Sequence, residues 1–196
     1  MATPIGYYNT SYRPFEKGKN LPRISTGIDS VRAYQFEVHF FGLPPSVASK
    51  EQTDLTLAAK QVGAIGYGVD DITVSRVNDK VFYPGTPSFD AISITFDNLY
   101  MMKTCQSLWQ WFKTIYDPLS GNMTSLSAPG GNGNRSFKAA KMRIVELDNA
   151  KVPHAAIELY GVYPRNVKFS EKNYETRDFS TIEVDFRFDF IDYFNY

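Results

Sequence analysis

The sequence predicts a mainly β chain with one principal α-helix, and three observations carry that prediction. Apolar and polar residues alternate with a period of two over residues 34–41, 91–96 and 181–191, the repeat of a half-buried strand. Only residues 99–116 combine helical spacing with a start and a stop signal. Clusters of Gly, Pro and Asn punctuate the remainder at the short intervals of connected strands.

Taken in order, residues 1–30 hold Pro4, Pro14 and Pro22 with Tyr7, Tyr8, Tyr12 and Phe15 between them and no regular period, which reads as an extended arm. An aromatic-rich arm packs either on its own domain or on a neighbour, which makes these four side chains candidate inter-subunit contacts. From residue 31 the main domain begins. Tyr34, Phe36, Val38 and Phe40 alternate with Gln35, Glu37, His39 and Phe41 until Gly42, Pro44 and Pro45 end the strand. A charged segment over 49–60 allows a short helical turn, Gly63, Gly66 and Gly68 mark turns, and residues 72–77 are strand-like. In 91–96, Ile92, Ile94 and Phe96 share one face and Ser93 and Thr95 the other.

The helix over 99–116 takes Asn98 as its N-cap and stops at Asp117-Pro118. Met102, Cys105, Leu108 or Trp109, Phe112 and Ile115 or Tyr116 form its apolar stripe, and because both Trp residues lie on this helix, the helix is predicted to seal an open end or face of a sheet structure. Residues 117–136, rich in Gly, Pro, Asn and Ser, read as a long loop. Strands return over 138–147 and 155–163 around a turn at Asp148-Asn149, and finally over 181–191. There Ile182, Val184, Phe186 and Phe188 point to a core while Glu183, Asp185, Arg187 and Asp189 face water.

Composition narrows the function. With 196 residues and 43% hydrophobic residues, the chain can bury one core rather than two. Lys and Arg number 21, as do Asp and Glu, so no net charge exists to capture nucleic acid or anionic lipid. Cys105 is a single cysteine, so no intrachain disulfide forms, as in a reducing compartment such as the bacterial cytoplasm. Residues 1–12 lack the apolar region of a secretion signal, and no later run approaches the roughly 18 apolar residues of a membrane helix. Asn9, Asn122 and Asn134 in Asn-x-Ser/Thr triplets accordingly carry little weight.

Chemistry for an enzyme is not legible. His39 falls in a strand and His154 in a hairpin loop, neither with a metal-ligand partner at regular spacing. Cys105 lies on the buried stripe, where a thiol packs rather than reacts. The glycines at 63, 66 and 68 are misspaced for a dinucleotide loop, and Gly130-Gly131-Asn132-Gly133 lacks the Lys-Ser/Thr of a phosphate loop. No catalytic residue, metal or cofactor is therefore predicted. A module that binds single-stranded nucleic acid is the rival from another class, though no strand offers exposed aromatics flanked by Lys or Arg.

Three stretches carry a family likeness: KVFYPGTPSFDAISITFD (80–97) leading into the Trp109/Trp111 helix, IELYGVYPRNV (157–167) and TIEVDFRFDFIDY (181–193). In these and in their spacing the chain resembles the tail tube proteins of T-even-like contractile bacteriophages. The resemblance implies two packed antiparallel sheets, as a sandwich or barrel, with one flanking α-helix. Such subunits form hexameric rings stacked into the inner tube of the tail, assembled in the host cytoplasm and carried on the virion. The implied partners are further copies of the chain, the sheath, baseplate and tube-terminating proteins, and double-stranded DNA passing without specific binding or membrane anchoring. A specialised end ring and a subunit of a phage-like injection device share this architecture.

The arm over 1–30 and the loop over 117–136 depart from compact members of that family, and with the aromatic arm residues, Gly130, Gly131, Asn132 and Arg135 become candidate contacts between subunits. The likeness also makes Glu183, Asp185, Arg187 and Asp189 candidates to line the channel, beside Gln35, Glu37 and His39. Three acids against one arginine give that C-terminal face a net charge of −2 (one minus three).

Overall fold

Among the described residues nine strands and two helices follow one another: β1 (Phe36–Phe41), α1 (Ser49–Ala58), β2 (Ala59–Val62), β3 (Tyr67–Ser75), β4 (Lys80–Phe89), β5 (Ile92–Asp97), α2 (Thr104–Lys113), β6 (Ala139–Leu147), β7 (Pro153–Phe169), β8 (Thr181–Arg187) and β9 (Phe190–Asn195). The structure, a computed structural model, describes residues 32–45, 47, 49–124, 137–148, 151–175 and 178–196. The predicted arm with Tyr7, Tyr8, Tyr12 and Phe15, and the loop residues Gly130, Gly131, Asn132 and Arg135, lie outside the described residues.

Seven strands form one antiparallel sheet in the order β1-β6-β7-β8-β5-β2, with β9 added on β7. The 17-residue β7 folds this sheet over on itself. Its first half, through Val162, pairs with β6 and β9, and its second half, from Tyr163, pairs with β8. The change of layer falls beside Gly161, whose φ of 67° is left-handed and where a Cβ would run into the Asp189 carboxylate. Only glycine meets both demands. Two packed antiparallel layers result, β1-β6-β7-β9 and β7-β8-β5-β2, joined at corners where strands switch layer. This is the fold class the sequence predicts.

The alternating residues meet between the layers. Val38, Phe40, Met142, Ile144, Leu159 and Val162 pack against Ile92, Ile94, Phe96, Ile182, Val184 and Phe186 in one core cluster. Fully burying a side chain of this size contributes about 1.5–3 kcal/mol, so the pairing of these two sets dominates the stability of the domain. Trp111 of α2 plugs the cluster, edge-on to Phe40 at 6.0 Å and 5.6 Å from Phe186. Its indole N–H donates to the Phe137 carbonyl at 2.8 Å.

Four expectations are corrected. First, α1 is a full helix of 10 residues, so the fold has two helices among the described residues rather than one flanking helix. Leu55 and Ala58 anchor it in the core beside β1. Second, α2 begins at Thr104 rather than residue 99, because the Asn98 N–H donates to the Ser180 carbonyl at 2.9 Å and extends the β5–β8 pairing. Its buried stripe is Thr104, Ser107, Leu108 and Trp111, which leaves Cys105 partly buried and turns Trp109 outward.

Third, residues 181–191 are not one strand. β8 stops at Arg187, and the chain crosses to the other layer through Phe188 and Asp189 before continuing as β9. Phe188 stays buried, so the inward series of Phe186 continues through the corner and conceals it from an alternation pattern. Fourth, His154 lies in β7, where its carbonyl accepts the Tyr196 N–H, and not in a loop.

Candidate functional site

Among the described residues no cleft gathers converging catalytic groups, and the functional candidates are surfaces. The first is the outward face of β8. Cross-strand pairing places Ser93 and Thr95 of β5 and Asn166 and Lys168 of β7 beside Glu183 and Asp185. Ser93 Oγ donates to Glu183 at 2.9 Å and Asn166 to Asp185 at 3.1 Å, while Lys168 Nζ stands 3.8 and 3.9 Å from the two carboxylates. Arg187 donates to the Phe89 carbonyl at 2.6 Å.

Asp189 does not belong to this face: it sits at the corner, paired with Lys138 at 2.6 Å, its N–H donating to the Tyr160 carbonyl at 2.8 Å. With Asp189 removed and Lys168 added, two acids meet two bases, and the face is neutral (two minus two) rather than net −2. Nor do the β1 candidates join it. Glu37 and His39, bonded to each other at 3.0 Å, lie in the other layer, three strands away along the sheet. Gln35 precedes β1 and accepts the Leu147 N–H through its carbonyl at 2.9 Å.

The second surface, missed at the sequence level, is the outward face of β6 and β7. Glu158 is buried to 5% exposure although it points away from the core. Lys141 and Arg143 bond its Oε1 at 2.8 and 2.6 Å, and the Tyr160 hydroxyl donates to Oε2 at 2.5 Å. Both cations also lie over the Phe41 ring, at 5.3 and 5.5 Å. Burial pushes the Glu158 carboxyl up, but the bonds from Lys141, Tyr160 and Arg143 outweigh it and bring the pKa down from 4.5 to about 2. The cations are thereby committed within the sheet, which argues against an open cationic platform for nucleic acid.

The lowered pKa fixes the sign of a pH effect. The group contributes stability that is complete above about pH 4.5 and lost as the pH falls toward 2. Glu158→Gln is expected to cost about 1–3 kcal/mol near neutral pH, the range for removing a charged hydrogen-bonding partner. It should also flatten the fall in stability below pH 4.5, which urea unfolding of both proteins along an acid series reads directly.

The third surface is the β3–β4 ribbon, which pairs with no strand of the main sheet. Every residue of β3 is exposed, and β4 is scarcely better covered. On one face the pairs Ile72–Tyr83 and Val74–Val81 lie side by side, with Ile72 at 56% and Tyr83 at 48% exposure. Phe82 projects from the other face at 62%. Among the described residues the ribbon is tied down at its base, by Phe89 against Phe188 at 5.6 Å and by the Arg187 bond.

No protein-family model and no curated protein matches the chain. Solved structures do. A chain of the cryo-EM anti-feeding prophage baseplate, 6-fold symmetrised, aligns with a TM-score of 0.62 at 7% identity, over 85% of this chain and 96% of that one. A chain of the anti-feeding prophage tube terminating cap gives 0.61 at 9% identity, over 86% and 93%. The sheath-tube complex of an extracellular contractile injection system, PVC, in its extended state, gives 0.60 at 12% identity, over 87% and 95%. The chain has the tube-protein fold of contractile injection systems. Those chains are covered almost end to end, so the likeness spans their whole fold rather than a shared fragment. Identities this low establish the fold alone.

Proposed function

We propose that this chain is a structural, non-enzymatic ring subunit of the inner tube of a contractile injection machine. The β3–β4 ribbon carries the reading. An isolated two-stranded ribbon is at best marginally stable in water, and this one exposes β-branched and aromatic side chains on both faces. A neighbouring subunit that covers those faces removes the liability. Pro84 and Pro87 lie within β4, which disfavours further strand addition there and leaves the ribbon's faces as its docking surfaces. By analogy with the solved tube assemblies, the rings are hexameric and bear on sheath, baseplate and terminator proteins. Negative-stain microscopy of the concentrated protein tests the reading: rings and tubes are expected, and a strictly monomeric protein would count against it.

The finer reading is a phage tail tube whose cargo is DNA, with the β8 face as channel wall. The face suits that role because its paired strands present polar and charge-matched side chains, whereas the β6–β7 outer face interleaves aromatics with its charges. A neutral wall neither binds phosphates by counterion release nor repels them strongly. Asp185→Lys would make the face net +2 in every subunit, since one negative charge is lost and one positive gained. In assembled particles that variant is expected to slow DNA ejection, increasingly at low salt. Unchanged ejection kinetics from intact tubes would remove this face from the channel.

A further inference from the structure

A stack that grows along one axis asks each subunit for two different surfaces, one at either end, because a head-to-tail contact joins unlike faces. The β3–β4 ribbon offers the first of them. It is rooted at one end of the β5–β8 pair: two residues separate Phe89 from β5, the Phe89 carbonyl accepts the bond from Arg187 at the end of β8, and the Asp90 N–H donates to the Gly66 carbonyl at 3.1 Å. The opposite end of that pair, where Asp97 stands across from Thr181, lies about 17 Å away along β5.

That opposite end is apolar. The Met102 N–H closes a turn on the Leu99 carbonyl at 3.1 Å, which carries Tyr100 and Met101 at its tip, both almost wholly exposed. The Asn98 N–H on the Ser180 carbonyl brings this turn beside Phe179, likewise almost wholly exposed. From α2, Trp109 turns outward against Phe169 at 6.1 Å, and Phe169 pairs across from Ile182 at the same end of β8. Leu99, Tyr100, Met101, Trp109, Phe169 and Phe179 thus reach one end of the domain from separate stretches of the chain. Exposed apolar side chains gathered in this way mark a contact surface.

We infer that this aromatic end is the surface on which the β3–β4 ribbon of a second copy docks, so that subunits join head to tail. The inference rests on the tube reading and names the acceptor surface for its ribbon. A second copy fits because it carries the matching face: Ile72, Tyr83 and Phe82 present β-branched and aromatic side chains for the cluster to cover, and a chain without net charge opposes the contact little. Two ribbons meeting each other, or two aromatic ends, would instead form closed pairs that cannot grow through that contact. Head-to-tail joining also makes the stack polar, with ribbons displayed at one terminus and aromatic ends at the other.

The test combines two variants of the full chain. Ile72→Asp with Tyr83→Asp removes the ribbon surface, and Tyr100→Asp with Phe179→Asp removes the aromatic end. Tyr100 and Phe179 are so exposed that their replacement should leave the unfolding midpoint unmoved, which thermal melting verifies. Neither variant should form tubes alone. Mixed in equal amounts, they hold one intact ribbon surface and one intact aromatic end between them, and they are expected to associate and stop at double the mass of the unit each forms alone, read by sedimentation equilibrium. A mixture that stays apart, or normal tubes from the Tyr100 and Phe179 variant, overturns the inference while the tube reading stands on the assembly of the parent chain. A parent chain that remains monomeric overturns both, so the two failures are distinguishable.

Discussion

Ile72→Asp combined with Tyr83→Asp is expected to abolish ring and tube assembly while leaving the two-layer domain folded. The two side chains are a cross-strand pair on the apolar face of the ribbon, about half exposed in the isolated subunit. Covering the exposed half of each in an assembly contributes about 1 kcal/mol, and a carboxylate left without a partner at the same place adds a desolvation cost of about the same size or more. Each contact should weaken by about a hundredfold or more, and the loss recurs at every subunit. The ribbon touches the two-layer domain chiefly at its base, through Phe89 and Phe188, so the unfolding midpoint should scarcely move. Sedimentation and negative stain read assembly, and thermal melting reads the fold. Normal tubes from the double variant would show that the ribbon is not a subunit contact, whereas Ile72→Val should assemble as the parent does.

Trp111→Ala is expected to be the most damaging single core substitution. The indole is fully buried among Phe40, Phe186 and neighbouring side chains, and its N–H satisfies the Phe137 carbonyl. Loss of a buried Trp costs about 3–5 kcal/mol through transfer and cavity terms together. For a domain of this size that corresponds to a fall of about 10 °C or more in Tm. Trp111→Phe keeps much of the packing but orphans the carbonyl, which should cost about 1–3 kcal/mol. Trp109, only two residues away, is 36% exposed, stacks on Phe112 at 5.9 Å and lies tilted against Phe169 at 6.1 Å at the surface. Trp109→Ala should cost well under half as much as Trp111→Ala, and equal losses would contradict the orientation of α2.

The same pair of residues shows how far the helix was legible. Helical spacing placed a helix between residues 99 and 116, but the stripe it named admitted Trp109 and omitted Trp111, the aromatic that is buried; the two stand two apart and cannot both face one core. Choosing between them required the Phe137 carbonyl, 26 residues further along the chain. Asn98 likewise has the chemistry of a cap, yet its N–H is claimed by Ser180, a bond that no local pattern records.

What the sequence by itself determined was sidedness. Ile92, Ile94 and Phe96, and Ile182, Val184 and Phe186, face inward because the strand repeat is two, and their polar alternates face out whatever the strands pair with. The zero net charge and the single cysteine were likewise properties of composition. Only the tertiary structure decided partnership. Glu158 is buried because register sets it opposite Arg143, and β8 is neutral because Lys168 pairs across from Glu183. Asp189 left the β8 face because the chain changes layer beside Gly161. The ribbon stands alone because nothing in the main sheet pairs with it. Register and layer are fixed by residues far apart in sequence that settle together in one core, so a period read along a single strand carries no record of them.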